Sequence, residues 1–477
     1  MSEKTSSTQL AVVGAGPGGY AAAFLAADLG IKVALIDTEP NPGGVCLYRG
    51  CIPSKALLHA AEVLSEAKHA ANWGIEFGQP KIDIDKLRSW KESVVRKMTG
   101  GLGQLSKARA VQYIQGHASL LDPKTLQIEK TSGGAEPLSF EHVILAPGSR
   151  PATLPNLPAN SSRIINSTGA LELKSVPKTM LVIGGGYIGL ELGIVYAALG
   201  AQVTVVEMLS GILPGVDRDL VTPLAKRLGQ TFQKIMVNTK VAAAMETKDG
   251  VRVKFEGSEA PAKEQTYEMV LVSVGRKPNS AFPGLDKTQV ELDARGFIKV
   301  DGQRRTGEPS IFAIGDVVGE PMLAHKASHE GRVAVEVIAG HKVAFEPQAI
   351  PAAVFTDPEI AWCGLTEAQA EKEGRKISVA RFPWGASGRA TTLDRPDGVT
   401  KLLIDPETER ILGVGITGAG AGELIAEGVL AIEMGARASD LKLSIHPHPT
   451  LSETLMEAAE VFFGQSTHIY RPKKSTR

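Results

Sequence analysis

LAVVGAGPGGYAAAFLAADLGIKVALID, residues 10–37, and MLVIGGGYIGLELGIVYAALGAQVTVVE, residues 180–207, align without a gap. Gly14, Gly16 and Gly19 match Gly184, Gly186 and Gly189, and Asp37 matches Glu207, all at an offset of 170 residues. Each stretch opens on an apolar β-branched run and passes through glycines into a helix-forming run. It stops at a glycine (Gly30, Gly200) and resumes as a second β-rich run ending in an acid. That order is a βαβ unit. Its first glycine permits a tight turn, the second lets a pyrophosphate approach the backbone, and the third lets helix and strand pack. The helix N-terminus faces the phosphates, and the terminal carboxylate accepts hydrogen bonds from ribose hydroxyls. One such turn also joins strands to helices for structural reasons alone. Two copies, each with strand, helix stop and acid, predict two bound dinucleotides.

The repeat extends to its exits. HVILAPGSRP (142–151) resembles MVLVSVGRKP (269–278), a buried strand followed by glycine, a basic residue and proline, and these exits mark domain crossings. A third strand of this kind, PSIFAIGDV (309–317), returns the chain to the first nucleotide domain. Beyond Phe345, strand-like alternation over 400–404 and 411–416 and long helices predict a separate unit. With ~150 residues per domain, 477 residues make three or four units. The expected fold class is α/β, with two Rossmann-like dinucleotide-binding domains (1–149 and 150–277), a central segment (278–346) returning to the first, and a C-terminal α+β interface domain (347–477).

A formal net charge of zero removes the broad attraction that nucleic acid or an anionic membrane requires, so neither is an expected partner. The apolar run 10–30 carries five glycines and a proline, which rules against a membrane span. The opening MSEKTSSTQ lacks the layout of a secretory signal and reads as a frayed end in a cytoplasmic protein. The basic tail RPKKSTR reads as solvated.

Two of the three cysteines, Cys46 and Cys51, fall in GGVCLYRGCIPSK (43–55). Pro53 and the apolar residues Ala56, Leu57, Ala60, Val63 and Leu64 predict an amphipathic helix with Cys51 at its N-terminus. The helix end and Lys55 both favour a thiolate at Cys51, and Cys46 is near enough to close a disulfide with it. Zinc needs four ligands, and only Cys363 remains with no His pair beside the loop, so no metal is expected. Spacing alone does not exclude two unrelated reduced thiols, although the position of the pair shortly after Asp37 counts against them. Cys363, in AWCGLTE, reads as a packed strand residue.

Taken together, the two dinucleotide motifs, the GGVCLYRGCIPSK loop, the FAIGD strand and the C-terminal HPHPTLSE resemble the flavin-dependent pyridine nucleotide disulfide oxidoreductases. The likeness runs from about Gln9 to Glu460 and is nearest to members that oxidise dihydrolipoamide. It implies FAD in the first domain, with Gly14, Gly16 and Gly19 at the pyrophosphate, Asp37 on the adenosine ribose (the family more often has Glu) and Gly148 at the strand exit. Asp316 would hold the ribityl chain. A helix beginning near Met322 and Ala324 would point its N-terminus at the flavin. The second domain would bind the nicotinamide nucleotide with Gly184, Gly186, Gly189, Glu207 and Gly275. Glu207 accepts from a 2′-hydroxyl and repels a 2′-phosphate, and Met208, Leu209 and Ser210 supply no arginine, so NAD is expected over NADP.

The same resemblance implies a catalytic set of Cys46, Cys51, Lys55, Glu191, His448 and Glu453. Glu191 would pair with Lys55; the plainer reading of Glu191 is a surface helix charge. Dihydrolipoamide would give a proton to His448 and attack a Cys46–Cys51 disulfide at Cys46, the more exposed sulfur, releasing Cys51 as thiolate. A carboxylate on one ring nitrogen of His448 leaves the other as a general base; His446 would be supportive. His448 and Glu453 would come from the other subunit of a homodimer. The implied partners are a lipoyl domain and acyltransferase subunit of a 2-oxo acid dehydrogenase complex, or a glycine cleavage system. Tyr48, Arg49 and Pro447 depart from the family pattern. The rival readings are another NAD(P)H-dependent flavin disulfide reductase and a non-catalytic flavin-binding scaffold subunit.

Overall fold

The computed structural model describes residues 6–158 and 161–470. The tail RPKKSTR lies outside them. Residues 6–9, expected to fray, instead begin the first strand, Ser6–Val13. The cause is a long neighbour: Ala135–Leu145 offers partners as far back as Ser6, paired with Leu138.

In the first domain, Ser6–Val13 lies between Val33–Asp37 and Ala135–Leu145, all parallel. Gln112–Asp122 lies outside Val33–Asp37, and Ile311–Ala313 outside Ala135–Leu145. Thus the FAIGD strand does return to the first sheet. The two long strands bend away from it and, with Thr125–Lys130 between them, form an antiparallel meander. Because side chains alternate along a strand, Leu10 and Val12 pack with Ala22, Ala26, Ala334 and Val335, while Ala11 and Val13 pack with Leu126, Ile128 and Leu138. Each fully buried Leu or Val in these layers contributes about 2 kcal/mol.

The second domain repeats the layout. Thr179–Ile183 lies between Gln202–Val206 and Met269–Val272, with Lys234–Met236 and Ile164–Asn166 outside, all parallel. Leu10 pairs with Val33 and Met180 with Val203, so the offset of 170 survives in the strand register. The exits match as well: His142 faces Leu10, and Met269 faces Met180. The exits also meet each other, Ser149–Pro151 running antiparallel to Arg276–Pro278. Proline suits this isolated ribbon because few ladder hydrogen bonds are lost there.

Residues beyond 350 form a five-stranded antiparallel sheet in the order 352–354, 359–364, 411–418, 399–404, 378–383, with helices Ala421–Glu433 and Glu453–Phe463 packed on it. Lys401, 1% exposed, joins this sheet to helix Arg218–Thr231 of the second domain. Its Nζ donates to Asp217 at 2.6 Å, Asp219 at 2.7 Å and Glu367 at 2.8 Å. Those carboxylates are close enough together to hold a metal ion, but the ammonium supplies the countercharge.

Candidate active site

The cysteine loop folds as a short helix, Gly44–Arg49, and then a long one, Cys51–His69, that starts on Cys51 itself. Its buried face is Pro53, Ser54, Ala56, Leu57 and Ala61. Val63, expected in that stripe, is 54% exposed, because it stands about 200° around the axis from Ala61. Cys46 and Cys51 are free thiols, each of which shifts the ionisation of the other. The Cys46 thiol, with help from Lys55 and against the effect of burial, lowers Cys51 to about 7. The Cys51 thiol and burial push Cys46 well up. Cys51 is the exposed residue and Cys46 the half-buried one. Cys51 opens its helix towards a cavity, so its exposure is to a space that a bound group would fill.

That cavity, about 630 Å³, gathers most of the residues named from sequence. Gly14, Gly16, Gly19 and Asp37 line one part, Cys46, Cys51, Lys55 and Glu191 another, and Gly148, Asp316, Met322 and Ala324 a third. A helix does begin there, Ala324–Ile338, with Ala324 and Ala327 facing the cavity. Glu191 is no surface charge: its side chain is 4% exposed, and Lys55 Nζ donates to its Oε2 at 2.8 Å.

The glycines separate packing from binding. A Cβ on Gly14 would come within 2.1 Å of Ala146 O, and one on Gly19 within 1.8 Å of Gly14 O. A Cβ on Gly16 would meet nothing nearer than 3.9 Å. Gly184 and Gly189 are crowded in the same way, at 2.5 and 2.4 Å, while Gly186 has open space. In both copies, then, the middle glycine lacks a side chain for a reason that the protein's own packing does not supply. A group held against the backbone supplies it, and the residues present therefore fit a dinucleotide.

The acids have a role that sequence did not show. Ala15 N donates to Asp37 Oδ2 at 2.6 Å and Glu39 N to Oδ1 at 3.0 Å; Gly185 N donates to Glu207 Oε2 at 2.7 Å and Leu209 N to Oε1 at 2.8 Å. Each carboxylate braces its own glycine turn, donor for donor at the same offset, and keeps lone pairs for a ribose. Arg218, the next cation after Glu207, donates to the carbonyls of Ile212, Leu213 and Val216.

Asp316 does not cap its short helix; it accepts from Ser149 Oγ, which in turn accepts from Arg276 Nε at 2.7 Å. Ser149 and Arg276 were missed as site residues, although their signal lay in the matched exits. Glu330, fully buried, was missed too. It accepts from Gly315 N at 2.7 Å, Lys326 at 3.0 Å and Arg304 at 3.1 Å, and so fixes the turn that carries Asp316. Tyr48 Oη bonds both the N–H and the carbonyl of Asn41, and Arg49 pairs with Glu39. The two departures thus tie the cysteine loop to the segment after Asp37.

His448 and Glu453 pair with each other, Nδ1 to Oε1 at 2.9 Å, and Thr450 N donates to Glu453 Oε2 at 2.6 Å. Burial opposes ionisation of Glu453, but these bonds outweigh it and hold the carboxyl below its ordinary range. The His446 side chain, 7% exposed, pairs with Glu427 at 2.8 Å. His448 is 72% exposed and does not line the cavity, and neither does Glu453. Gly184, Gly186, Gly189, Glu207 and Gly275 lie outside it as well, in the second domain. Cys363 is 1% exposed on its strand, and burial pushes its thiol up to about 12.

Residues 8–331 match the model of the pyridine nucleotide-disulphide oxidoreductases. The chain belongs to the pyridine nucleotide-disulphide oxidoreductase family. Residues 350–459 match the dimerisation domain of the pyridine nucleotide-disulphide oxidoreductases, which is the antiparallel sheet with its helices. A dihydrolipoyl dehydrogenase of Vibrio parahaemolyticus is 50% identical, with 98% of each chain covered. Among solved structures of this fold, LpdA from Mycobacterium tuberculosis superposes with a TM-score of 0.88 at 25% identity over 95% of this chain and 99% of that one. The HOCl-induced flavoprotein disulfide reductase RclA from Escherichia coli gives 0.83 at 26% over 94% and 98%. Among the described residues no helix is long and apolar enough to cross a membrane.

Proposed function

We propose that the chain is a dihydrolipoyl dehydrogenase that oxidises protein-bound dihydrolipoamide to lipoamide with FAD and NAD. The observation that carries this reading is the meeting of the Cys46–Cys51 pair, the half-buried Lys55–Glu191 ion pair and an open dinucleotide turn around one cavity. The 50% identity to a dihydrolipoyl dehydrogenase along nearly the whole chain supports it.

In the oxidised protein Cys46 and Cys51 form a disulfide. A substrate thiol gives its proton to His448 Nε2, Glu453 holding the ring by Nδ1, and the resulting thiolate attacks Cys46. The bond to Cys51 breaks, and its electron pair stays on Cys51. The direction follows from the sulfurs: Cys51, lowered to about 7, is the better leaving group. The second substrate thiol then attacks the mixed disulfide, closing lipoamide and releasing Cys46 as the thiol that its environment favours. Lys55, fixed by Glu191, holds positive charge beside the Cys51 thiolate. When bound, FAD and NAD supply the two-electron chemistry that restores the disulfide. Gly14, Gly16 and Gly19 would seat the FAD pyrophosphate, Asp37 its ribose and Asp316 its ribityl hydroxyls. Gly184, Gly186 and Gly189 would seat NAD, with Glu207 on its 2′-hydroxyl.

The dimerisation domain supports a homodimer, and the exposure of His448 away from its own chain's cavity fits a site completed by the other subunit. Exposed Leu430, Met434, Leu443 and Ile445 give that domain an apolar surface to bury. The partners in this reading are a lipoyl domain and acyltransferase subunit of a 2-oxo acid dehydrogenase complex, or a glycine cleavage system, in the cytoplasm. The test is steady-state NADH formation from dihydrolipoamide and NAD by the flavin-loaded protein. Absence of turnover would favour a flavin-binding scaffold instead.

A further inference from the structure

Glu191 is gripped from two sides. Its Oε2 accepts from Lys55 Nζ at 2.8 Å, and its Oε1 from the backbone N–H of Phe355 at 3.0 Å. The Phe355 ring also faces the lysine, 4.5 Å from Nζ to its centroid, within cation–π range. These contacts come from three parts of the chain: Lys55 from the cysteine helix, Glu191 from the helix of the second glycine turn, and Phe355 from the residue after strand Ala352–Val354. Behind the ring lies helix Ala421–Glu433, since a Cβ at Gly422 would sit 3.4 Å from Phe355 Cε1. That helix is the one that exposes Leu430, with Met434 just beyond it.

We propose that Phe355 is a positioning residue for the redox site, through which the dimerisation domain holds the Lys55 ammonium beside Cys51. A lysine side chain has four flexible carbons, and this one is still 33% exposed. Glu191 tethers the ammonium at one point; the ring covers a second side, and the Phe355 N–H keeps the tether from swinging. Without the ring the ammonium spends more of its time in solvent, and the Cys51 thiolate loses a neighbouring positive charge. The groups that face Cys51 are Cys46, Lys55, Glu191, Tyr20 and Tyr187, and among them Lys55 is the only cation. How the C-terminal sheet is seated therefore tunes a sulfur that belongs to another domain.

The inference rests on the dithiol reading, so its test needs no turnover. In FAD-loaded, reduced protein, the Cys51 thiolate is followed against pH by its long-wavelength thiolate-to-flavin absorbance. Phe355→Leu is expected to raise the midpoint by about half a pH unit, and Phe355→Tyr to restore it. Replacing Phe355 with progressively fluorinated phenylalanines, which weakens the ring face without changing its shape, is expected to raise the midpoint stepwise. A midpoint that stays put across the fluorinated series overturns the proposal, whether or not Phe355→Leu folds. If Lys55→Met also leaves the midpoint unmoved, the charge assigned to Lys55 in the dithiol reading is wrong, which is a separate failure.

Discussion

Lys55 and Glu191, 136 residues apart in sequence, form an ion pair that pins the cysteine helix to the helix of the second nucleotide domain. The pair stands next to a sulfur lowered to about 7, and it sets the first expectation. In the reduced protein stripped of flavin, one thiol alkylates as pH rises through about 7, because Cys51 loses its proton there while Cys46 stays protonated well above. Lys55→Met removes the nearby positive charge, so the midpoint moves up towards the ordinary value of 9.0. Mass-spectrometric assignment of the alkylated cysteine at each pH checks both the site and the sign.

His448→Gln is expected to slow dihydrolipoamide oxidation by 10²-fold or more, roughly what a positioned general base contributes. NADH oxidation by an artificial acceptor should be largely kept, because the ring is solvent-exposed and carries no core packing. Equal loss of both activities would point to damaged folding instead.

Lys401→Met leaves Asp217, Asp219 and Glu367 facing one another with Arg381 as their only remaining cation among the described contacts. A stranded buried charge costs about 3 kcal/mol or more. Thermal unfolding should shift down by several degrees, and Asp219→Asn in the same background should recover part of the loss. A melting curve superposable on that of the parent would mean the cluster carries no net stabilisation.

Arg49→Val combined with Tyr48→Asn releases the segment around Glu39 and Asn41, whose neighbour Asp37 braces the first glycine turn. An ion pair this exposed is worth ~1 kcal/mol at most, so FAD affinity should fall by less than about tenfold. Flavin collected in an ultrafiltrate after dilution measures it. An unchanged dissociation constant would leave Tyr48 and Arg49 without a cofactor role.

Sequence showed what has a period or a repeat. The glycine turns, the paired exits, the returning FAIGD strand and the helix beginning at Cys51 all follow from patterns within a few dozen residues, and the register keeps the offset of 170. It misjudged what depends on neighbours from elsewhere. Glu191 reads in sequence as a surface helix charge, but it is buried against Lys55 of another domain. Val63 was placed on the buried stripe because it is apolar, although its angle on the helix takes it outward. Phe355 left no signal at all: its bond to Glu191 uses a backbone N–H, which every residue but proline has, across 164 positions. Glu330 is similar, an ordinary helix glutamate in sequence that turns out to be fully buried.

The sealed state of Cys363 has a practical side. A mild thiol dye added to the native, reduced protein finds no third sulfur to react with on its timescale, so the colour released comes from the Cys46–Cys51 pair alone. The redox state of the pair can thus be titrated without substrate, cofactor turnover or any engineered label.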